Sequence, residues 1–483
     1  MTQPTQAAAP PQQQRLTGRL GTSAIVFMVI AAAAPLTVIG GNVPLAVAGG
    51  NGIGAPVGFL LAASVLLVFS VGFVTMTPHV REAGAFFSYV TTGLNARAGL
   101  GAAFVALVAY TAIQVGIYGY MGWAANDLVT YFGGPEVPWW IYSFATLAVV
   151  AVLGYRHIDL SAKVLGVALV LEIAIMVALD VAIFARGGTS SLVWQSFAPS
   201  QALSAGLGVA VLFALTGFIG FEATAVFRDE ARDPERTIPR ATYLAVIIIG
   251  LFYALSCWAL IGAAGAGNAV AVAQRTLDGE GNMMLDYAGD YLGGALRNVM
   301  NVLLITSLFA CVLSFHNVLA RYLFTLANHG VLPGRLGHTN ARHRAPSFAS
   351  VVQTLTAVVL LLVFVLVGLD PLVGVFGSMA GVSTVGMVIL MTLTSVAVLV
   401  FFARRPEQAR GRALRTRVAP VLAIVGLLVC LWLVLSNFTL VTGGSVGVST
   451  VLALIPAAAF AIGFVLGGRF ALPDSGVAAG PRR

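Results

Sequence analysis

Residues 213–241 read Phe-Ala-Leu-Thr-Gly-Phe-Ile-Gly-Phe-Glu-Ala-Thr-Ala-Val-Phe-Arg-Asp-Glu-Ala-Arg-Asp-Pro-Glu-Arg-Thr-Ile-Pro-Arg-Ala. The stretch opens as an apolar span, is interrupted at Thr216-Gly217 and again at Gly220, and then carries a carboxylate, Glu222. A dense charged loop follows. Glycines weaken a helix by about 1 kcal/mol each relative to alanine, so this segment is poorly built as a passive anchor. It is well built to expose backbone groups and a titratable side chain to a solute in transit.

The surrounding composition fixes the solvent. Of 483 residues, 59% are hydrophobic and 9% charged, against about 25% charged in a soluble protein. No charged residue occurs between Arg19 and Arg81, a run long enough for two membrane crossings. The fold class is therefore an all-α polytopic membrane protein. Cys257, Cys311 and Cys430 lie far apart inside apolar runs and form neither a disulfide framework nor a metal-ligand spacing. Neither a Gly-x-x-x-x-Gly-Lys loop nor a nucleophile–base pattern can be read. No enzyme, cofactor or metal site is expected. The net charge of +8 has no aromatic-lined basic face beside it, so nucleic acid is not expected as a partner.

Apolar runs divided by Gly, Pro or charge clusters give twelve expected spans, near 21–48, 55–77, 98–130, 138–154, 160–185, 205–228, 239–263, 296–323, 347–368, 371–402, 418–437 and 448–467. With the N-terminus inside, 23 of the 26 basic residues fall in cytoplasmic segments, and only Arg186, Arg275 and Arg297 fall outside. The positive-inside rule then places both termini in the cytoplasm. The expected organisation is a disordered tail over 1–20, a ten-helix core over 21–402, a basic linker over 403–417 facing lipid headgroups, helices eleven and twelve over 418–468, and a cytoplasmic tail over 469–483. Arg15, Arg19 and the alanines 31–34 imitate a signal peptide, but the many later spans favour a retained first helix. Residues 78–95 read as a short amphipathic segment, and 264–294 as an external stretch that could form short lid helices.

The first span is also interrupted, by Pro35, Gly40, Gly41 and Pro44. Proline removes a backbone donor and clashes with the preceding turn. The two interrupted spans lie five apart, an odd offset, so equivalent helices run in opposite directions. That pattern predicts an inverted 5+5 repeat, over about 21–185 and 205–402, with a site where broken helices 1 and 6 meet at mid-membrane. Freed amides at such a break suit a carboxylate, and freed carbonyls suit an ammonium. The candidate binding backbone is Pro35, Leu36, Thr37, Val38 and Ile39 on one side and Thr216, Gly217, Phe218, Ile219 and Gly220 on the other. The alternative is that both interruptions are packing kinks.

Further side chains are candidates. Glu222, just past the second break, is costly as a buried anion, which suggests proton coupling or gating; the competing reading is a carboxyl that only bonds the break. Glu172 is the deepest charge in span five, with Asp180 eight residues on and on roughly the same face. Together they suggest a cation or proton route, although Asp180 reads more simply as an interfacial residue. His316 is a proton-relay candidate or a bonded core histidine. Gln114, with Tyr118 and Tyr120, places polar tips on an apolar helix that could line the substrate cavity, the alternative being tyrosines of a membrane-interface belt.

The segment from Gly217 through Ala223, followed by Asp229-Glu230-Ala231-Arg232-Asp233-Pro234-Glu235-Arg236-Thr237-Ile238-Pro239-Arg240-Ala241, resembles the span-six-to-seven signature of amino acid–polyamine–organocation permeases. Ala83-Gly84-Ala85-Phe86-Phe87-Ser88-Tyr89, Arg321-Tyr322-Leu323-Phe324 and Thr394-Ser395-Val396-Ala397-Val398 resemble other parts of the same family. The resemblance covers about residues 20–469. It implies a LeuT-like fold in the plasma membrane, alternating access, proton symport or solute exchange, and an amino acid or amine held by the two breaks with Glu222 in gating. Two departures stand out. Ala34-Pro35-Leu36-Thr37-Val38 replaces the Gly-Ser/Thr-Gly triplet of many relatives and looks more like amine-importing branches. Glu172 stands where some relatives carry a lysine. An amino acid permease is the favoured expectation, a polyamine importer or an exchanger the alternative, and a non-transporting solute sensor the reading from another class.

Overall fold

Each long apolar run folds as a helix, because in hydrocarbon only a helix satisfies every backbone polar group within its own segment. The computed structural model describes residues 20–80, 86–156, 162–340 and 345–468. The expected tails over 1–19 and 469–483 lie outside them. The helices are α1 (Thr22–Ala32), α2 (35–51), α3 (Ala55–Met76), α4 (Phe86–Gly93), α5 (Ala96–Tyr131), α6 (Trp139–Arg156) and α7 (Ala162–Gly187). They continue as α8 (Leu207–Thr216), α9 (Ala223–Val226), α10 (Pro234–Ala264), α11 (Ala269–Leu277), α12 (Met283–Leu292), α13 (Gly294–Asn328) and α14 (Ser347–Val367). The last three are α15 (Pro371–Arg404), α16 (Leu414–Ser436) and α17 (Val446–Leu466). Among the described residues no strand forms, and the isolated bridges are Leu20 with Ala231 and Asn340 with Ala345.

Ten helical stretches are long and apolar enough to cross a membrane among the described residues, against twelve expected spans. The difference has a local cause. Thr22–His79 counts once although its 58 residues exceed a single crossing, and residues 205–228 form only short pieces, the ten-residue α8 and the four-residue α9. Boundaries move by a few residues elsewhere. α10 begins at Pro234 rather than 239, with Pro239 inside it. Helix eleven begins at Leu414, within the expected linker. The stretch 264–294, where short helices were expected, holds α11 and α12.

The packing centres on α5, which touches α4, α6, α13, α15 and α17, while α3 packs on α8, α10 and α16. Small residues permit the close crossings: a Cβ on Gly208 of α8 would lie 2.0 Å from the Leu433 carbonyl oxygen of α16. Outward faces are apolar, as with Val164, Val167, Val170 and Val181 on α7 and Leu355, Val359, Leu362 and Leu366 on α14. Hydroxyls inside the helices bond their own i−4 carbonyls, as Ser70, Thr75, Thr392 and Ser395 do. Hydroxyls within the membrane-spanning helices are thereby satisfied without water.

Both ends of the bundle are tied. At one, Leu20 N–H donates to Glu230 O (2.9 Å) and Arg232 N–H to Leu20 O (3.0 Å). Leu20 is therefore strapped to the loop after α9 rather than being part of a loose tail. Arg228 donates to the carbonyls of Thr77 (3.0 Å), Pro78 (3.2 Å) and Val80 (2.7 Å), where the C-terminal dipole of α3 favours a cation. At the other end, Arg297 bonds Asp286 of α12 (3.2 Å) and sits 3.6 Å from the centroid of the Tyr131 ring. Arg186 reaches the Asp290 carbonyl (3.4 Å).

Candidate functional site

The first break lies at Ala33-Ala34, one step before the stretch 35–41 in which it was expected. Proline disfavours the α region for the residue preceding it, and Ala34 is left-handed at φ 46°, ψ 72°. From Pro35 the chain is helical again, with wider π turns over Val38–Asn42 and Val47–Asn51. Gly40 and Gly41 do not unwind it. They admit the Tyr120 ring of α5, since a Cβ on either would come within 2.7 Å of it.

The second break runs from Gly217 to Glu222, between α8 and α9. Gly220 carries φ 107°, a conformation that side-chain-bearing residues rarely adopt. Each break thus turns on one left-handed residue, Ala34 in the first and Gly220 in the second. The two adjoin: a Cβ on Gly217 would lie 3.0 Å from Val38 Cγ1, and one on Gly220 would lie 3.5 Å from the Ala32 methyl. The structure therefore brings both predicted binding segments together. Pro35, Leu36, Thr37, Val38, Ile39, Thr216, Gly217, Phe218 and Ile219 are all buried, and Gly220 is half-buried.

Protein groups satisfy the backbone freed by the breaks, as buried polar groups require. Tyr253 Oη of α10 donates to Ala33 O, at the end of the first half-helix (3.0 Å). Glu222 folds back on its own break, accepting from Gly220 N–H (3.0 Å) and from Tyr110 Oη of α5 (2.5 Å). Thr216 Oγ1 pairs with Thr384 Oγ1 of α15 (2.6 Å). Phe218 packs edge-on against Tyr253 at 6.2 Å and lies beside Gly250.

Glu172 of α7 reaches the first break. It accepts from Ser307 Oγ of α13 (3.0 Å), which in turn receives Thr37 Oγ1 (3.4 Å). Asp180 departs from expectation. It is 3% exposed and accepts from Ser256 Oγ of α10 (2.7 Å), because its side of α7 packs on α10 rather than facing headgroups.

Gln114 and His316 meet each other instead. Gln114 Nε2 lies 3.4 Å from His316 Nδ1, His316 Nε2 lies 2.8 Å from Ser350 Oγ, and Gln353 Nε2 donates to Gln114 Oε1 (2.7 Å). These bonds join α5, α13 and α14 and do not run to either glutamate. Tyr120 Oη, by contrast, is buried with no hydrogen-bond partner.

Sequence reasoning missed Tyr110, Tyr253, Ser307 and Thr384. Only Tyr110 left a trace: it stands four residues before Gln114, one helical turn away on the same face. The others are single polar residues on apolar helices whose partners are distant in sequence.

The chain matches the amino acid permease family over residues 20–464. It is 23% identical over 402 residues to the branched-chain amino acid permease BcaP of Bacillus subtilis, covering 80% of this chain and 81% of that one. It is 27% identical over 237 residues to the L-methionine/branched-chain amino acid exporter YjeH of Escherichia coli, covering 49% and 52%. A third relative, BcaP of Lactococcus lactis, is 28% identical over 140 residues, covering 28% and 27%. With its broken, buried helices and a family match running from Leu20 almost to the end of α17, this chain belongs to the amino acid permease family.

Proposed function

We propose that the protein is a secondary active transporter of neutral, aliphatic amino acids, working by alternating access. The observation that carries this reading is the contact of the two breaks, Gly217 against Val38 and Gly220 against Ala32. Two opposed breaks offer amides to a carboxylate and carbonyls to an ammonium within one small volume. Val38, Ile39 and Ile219 beside them are apolar and suit an aliphatic side chain. The B. subtilis and E. coli relatives, a branched-chain amino acid permease and an L-methionine/branched-chain amino acid exporter, point to the same substrate class.

The architecture in this reading is twelve spans in a LeuT-like 5+5 inverted repeat, with α1/α2 and α8/α9 as its broken helices 1 and 6. The basic-residue distribution puts both termini in the cytoplasm of a plasma-membrane protein. Arg228 and the Leu20 strap then latch the inner side. α12 covers the outer side, its Met284 lying beside Gly40. Glu222 couples a proton to the inner latch: it holds the Gly220 amide on one side and Tyr110 on the other, so a change in its charge alters what fixes the second break.

Proteoliposomes carrying the full chain are expected to accumulate labelled leucine under an inward proton gradient and to lose that accumulation when the gradient is collapsed. Uptake that ignores both pH and voltage removes proton coupling. Failure of leucine, isoleucine, valine and methionine alike to enter removes the substrate class. A second reading, an importer of organic amines, draws on the buried acid Glu172 beside the first break; putrescine in the same assay separates the two.

A further inference from the structure

We propose that Asp180 of α7 is a second proton-binding site, loaded from the outer side, whose proton is held while α7 and α10 stay joined. This deepens the proton-coupled reading above and rests on it.

Among the described residues three acidic side chains are buried: Glu172, Asp180 and Glu222. Glu222 accepts from two donors, the Tyr110 hydroxyl and the Gly220 amide. Asp180 is less well provided. Its Oδ2 accepts from Ser256 Oγ at 2.7 Å, while its Oδ1 is buried with no hydrogen-bond partner. On either side of it along α7, Met176, Leu179 and Ile183 are fully buried.

No cation compensates the carboxyl. In the outer halves of the helices packed against α7, the titratable or charged groups are Tyr253 and Cys257 on α10 and Arg297 and Cys311 on α13. The short α12 adds Asp286, Tyr287, Asp290 and Tyr291, while α1, α2 and the turn Gly188–Ser191 add none. Arg297 is engaged with Asp286 (3.2 Å), and Arg186 of α7 itself with the Asp290 carbonyl (3.4 Å). Among the described residues no salt bridge includes Asp180.

At membrane depth, an ionised carboxylate with one donor and no cation is far costlier than a neutral acid. The proton that neutralises it comes from external water and sits on Oδ1, and Oδ2 keeps the Ser256 bond. Asp180 lies seven residues before the end of α7, about 10 Å along the helix, on the side where Arg186 meets α12. Parting α7 from α10 there lets water reach Oδ1 and take the proton. A proton held more tightly in one form than in the other makes the balance between them depend on pH, with acid favouring the joined form. The joint bears on the first break. Ser256 lies one turn from Tyr253 on α10, whose hydroxyl holds Ala33 O (3.0 Å), and α7 reaches the same break through Glu172, Ser307 and Thr37.

The test reconstitutes the full chain, wild type, Asp180→Asn and Asp180→Glu, and follows initial leucine uptake as external pH is varied at fixed internal pH. Asparagine keeps an acceptor for Ser256 but exchanges no proton, whereas glutamate keeps the acid. Wild-type uptake is expected to rise several-fold towards acid external pH, Asp180→Asn to lose that rise, and Asp180→Glu to retain part of it. Asparagine would serve a purely structural Asp180, so a wild-type pH profile in Asp180→Asn overturns the assignment while leaving proton coupling intact. Infrared difference spectra between acid and alkaline buffer give a second measurement. One protonated-carboxyl band of the wild type is expected to vanish in Asp180→Asn, to shift in Asp180→Glu and to persist in Glu222→Gln. Should the asparagine variant not fold, the shift in Asp180→Glu carries the test. A band unmoved by substitution of Asp180 overturns the assignment. A wild-type protein whose uptake ignores external pH removes the proton-coupled reading, and this inference with it.

Discussion

Glu222→Ala is expected to reduce leucine uptake at least roughly tenfold while the protein still inserts and purifies. The carboxylate is the acceptor for two buried donors, Tyr110 Oη and Gly220 N–H. Removing it orphans both, and each unsatisfied buried group costs about 1–3 kcal/mol. The Gly220 amide belongs to the break itself, so the loss falls on the geometry of the second binding segment. Glu222→Gln separates the two roles assigned to this residue. Glutamine keeps an acceptor for Gly220 but cannot exchange a proton, so its uptake is expected to persist down a leucine gradient and to lose its response to an imposed pH gradient. Initial rates in proteoliposomes, with and without that gradient, measure both effects. An alanine variant with wild-type rates takes Glu222 out of the mechanism.

Gly220→Val is expected to be nearly as damaging, for a different reason. The space beside Gly220 is adequate, since a Cβ would meet nothing nearer than the Ala32 methyl at 3.5 Å. The backbone is the obstacle: φ 107° lies where β-branched residues are strained by about 1–3 kcal/mol. Relief of that strain rotates the Gly220 peptide and draws its amide away from Glu222. The expected result is a loss of leucine binding in calorimetry with a modest drop in thermal stability. Binding retained at wild-type affinity would show that the left-handed turn is not needed by the site.

Much of this architecture was legible because membrane burial leaves a coarse signature. Long uncharged runs end at Gly, Pro and Arg clusters, and those runs became helices within a few residues. The second break was legible because Gly220 supplies the positive-φ conformation on which it turns. The first was harder to place. Its turning residue is an alanine, which carries no such signal, and the cue lies in the neighbour, since Pro35 disfavours a helical Ala34. Gly40 and Gly41 resemble helix breakers in the sequence, yet they serve the close approach of Tyr120. Glu172 and Glu222 stood out as charges at membrane depth. What each one holds did not, because Ser307 and Tyr110 lie 135 and 112 residues away and reach them only through the packing of α13 and α5. The same holds for Asp180, whose burial against Ser256 depends on the contact of α7 with α10.

The central claim, that the adjoining breaks form the site of an alternating-access carrier, is tested most directly by counterflow. Proteoliposomes are loaded with unlabelled leucine, diluted without any ion gradient into a trace of labelled leucine, and followed over time. A carrier exchanging one solute for another is expected to draw label inside transiently above its equilibrium level, and Glu222→Ala and Gly220→Val are expected to flatten that overshoot. A channel would bring label only to equilibrium, and a solute sensor would bring in none; either time course from the wild-type protein would contradict the account.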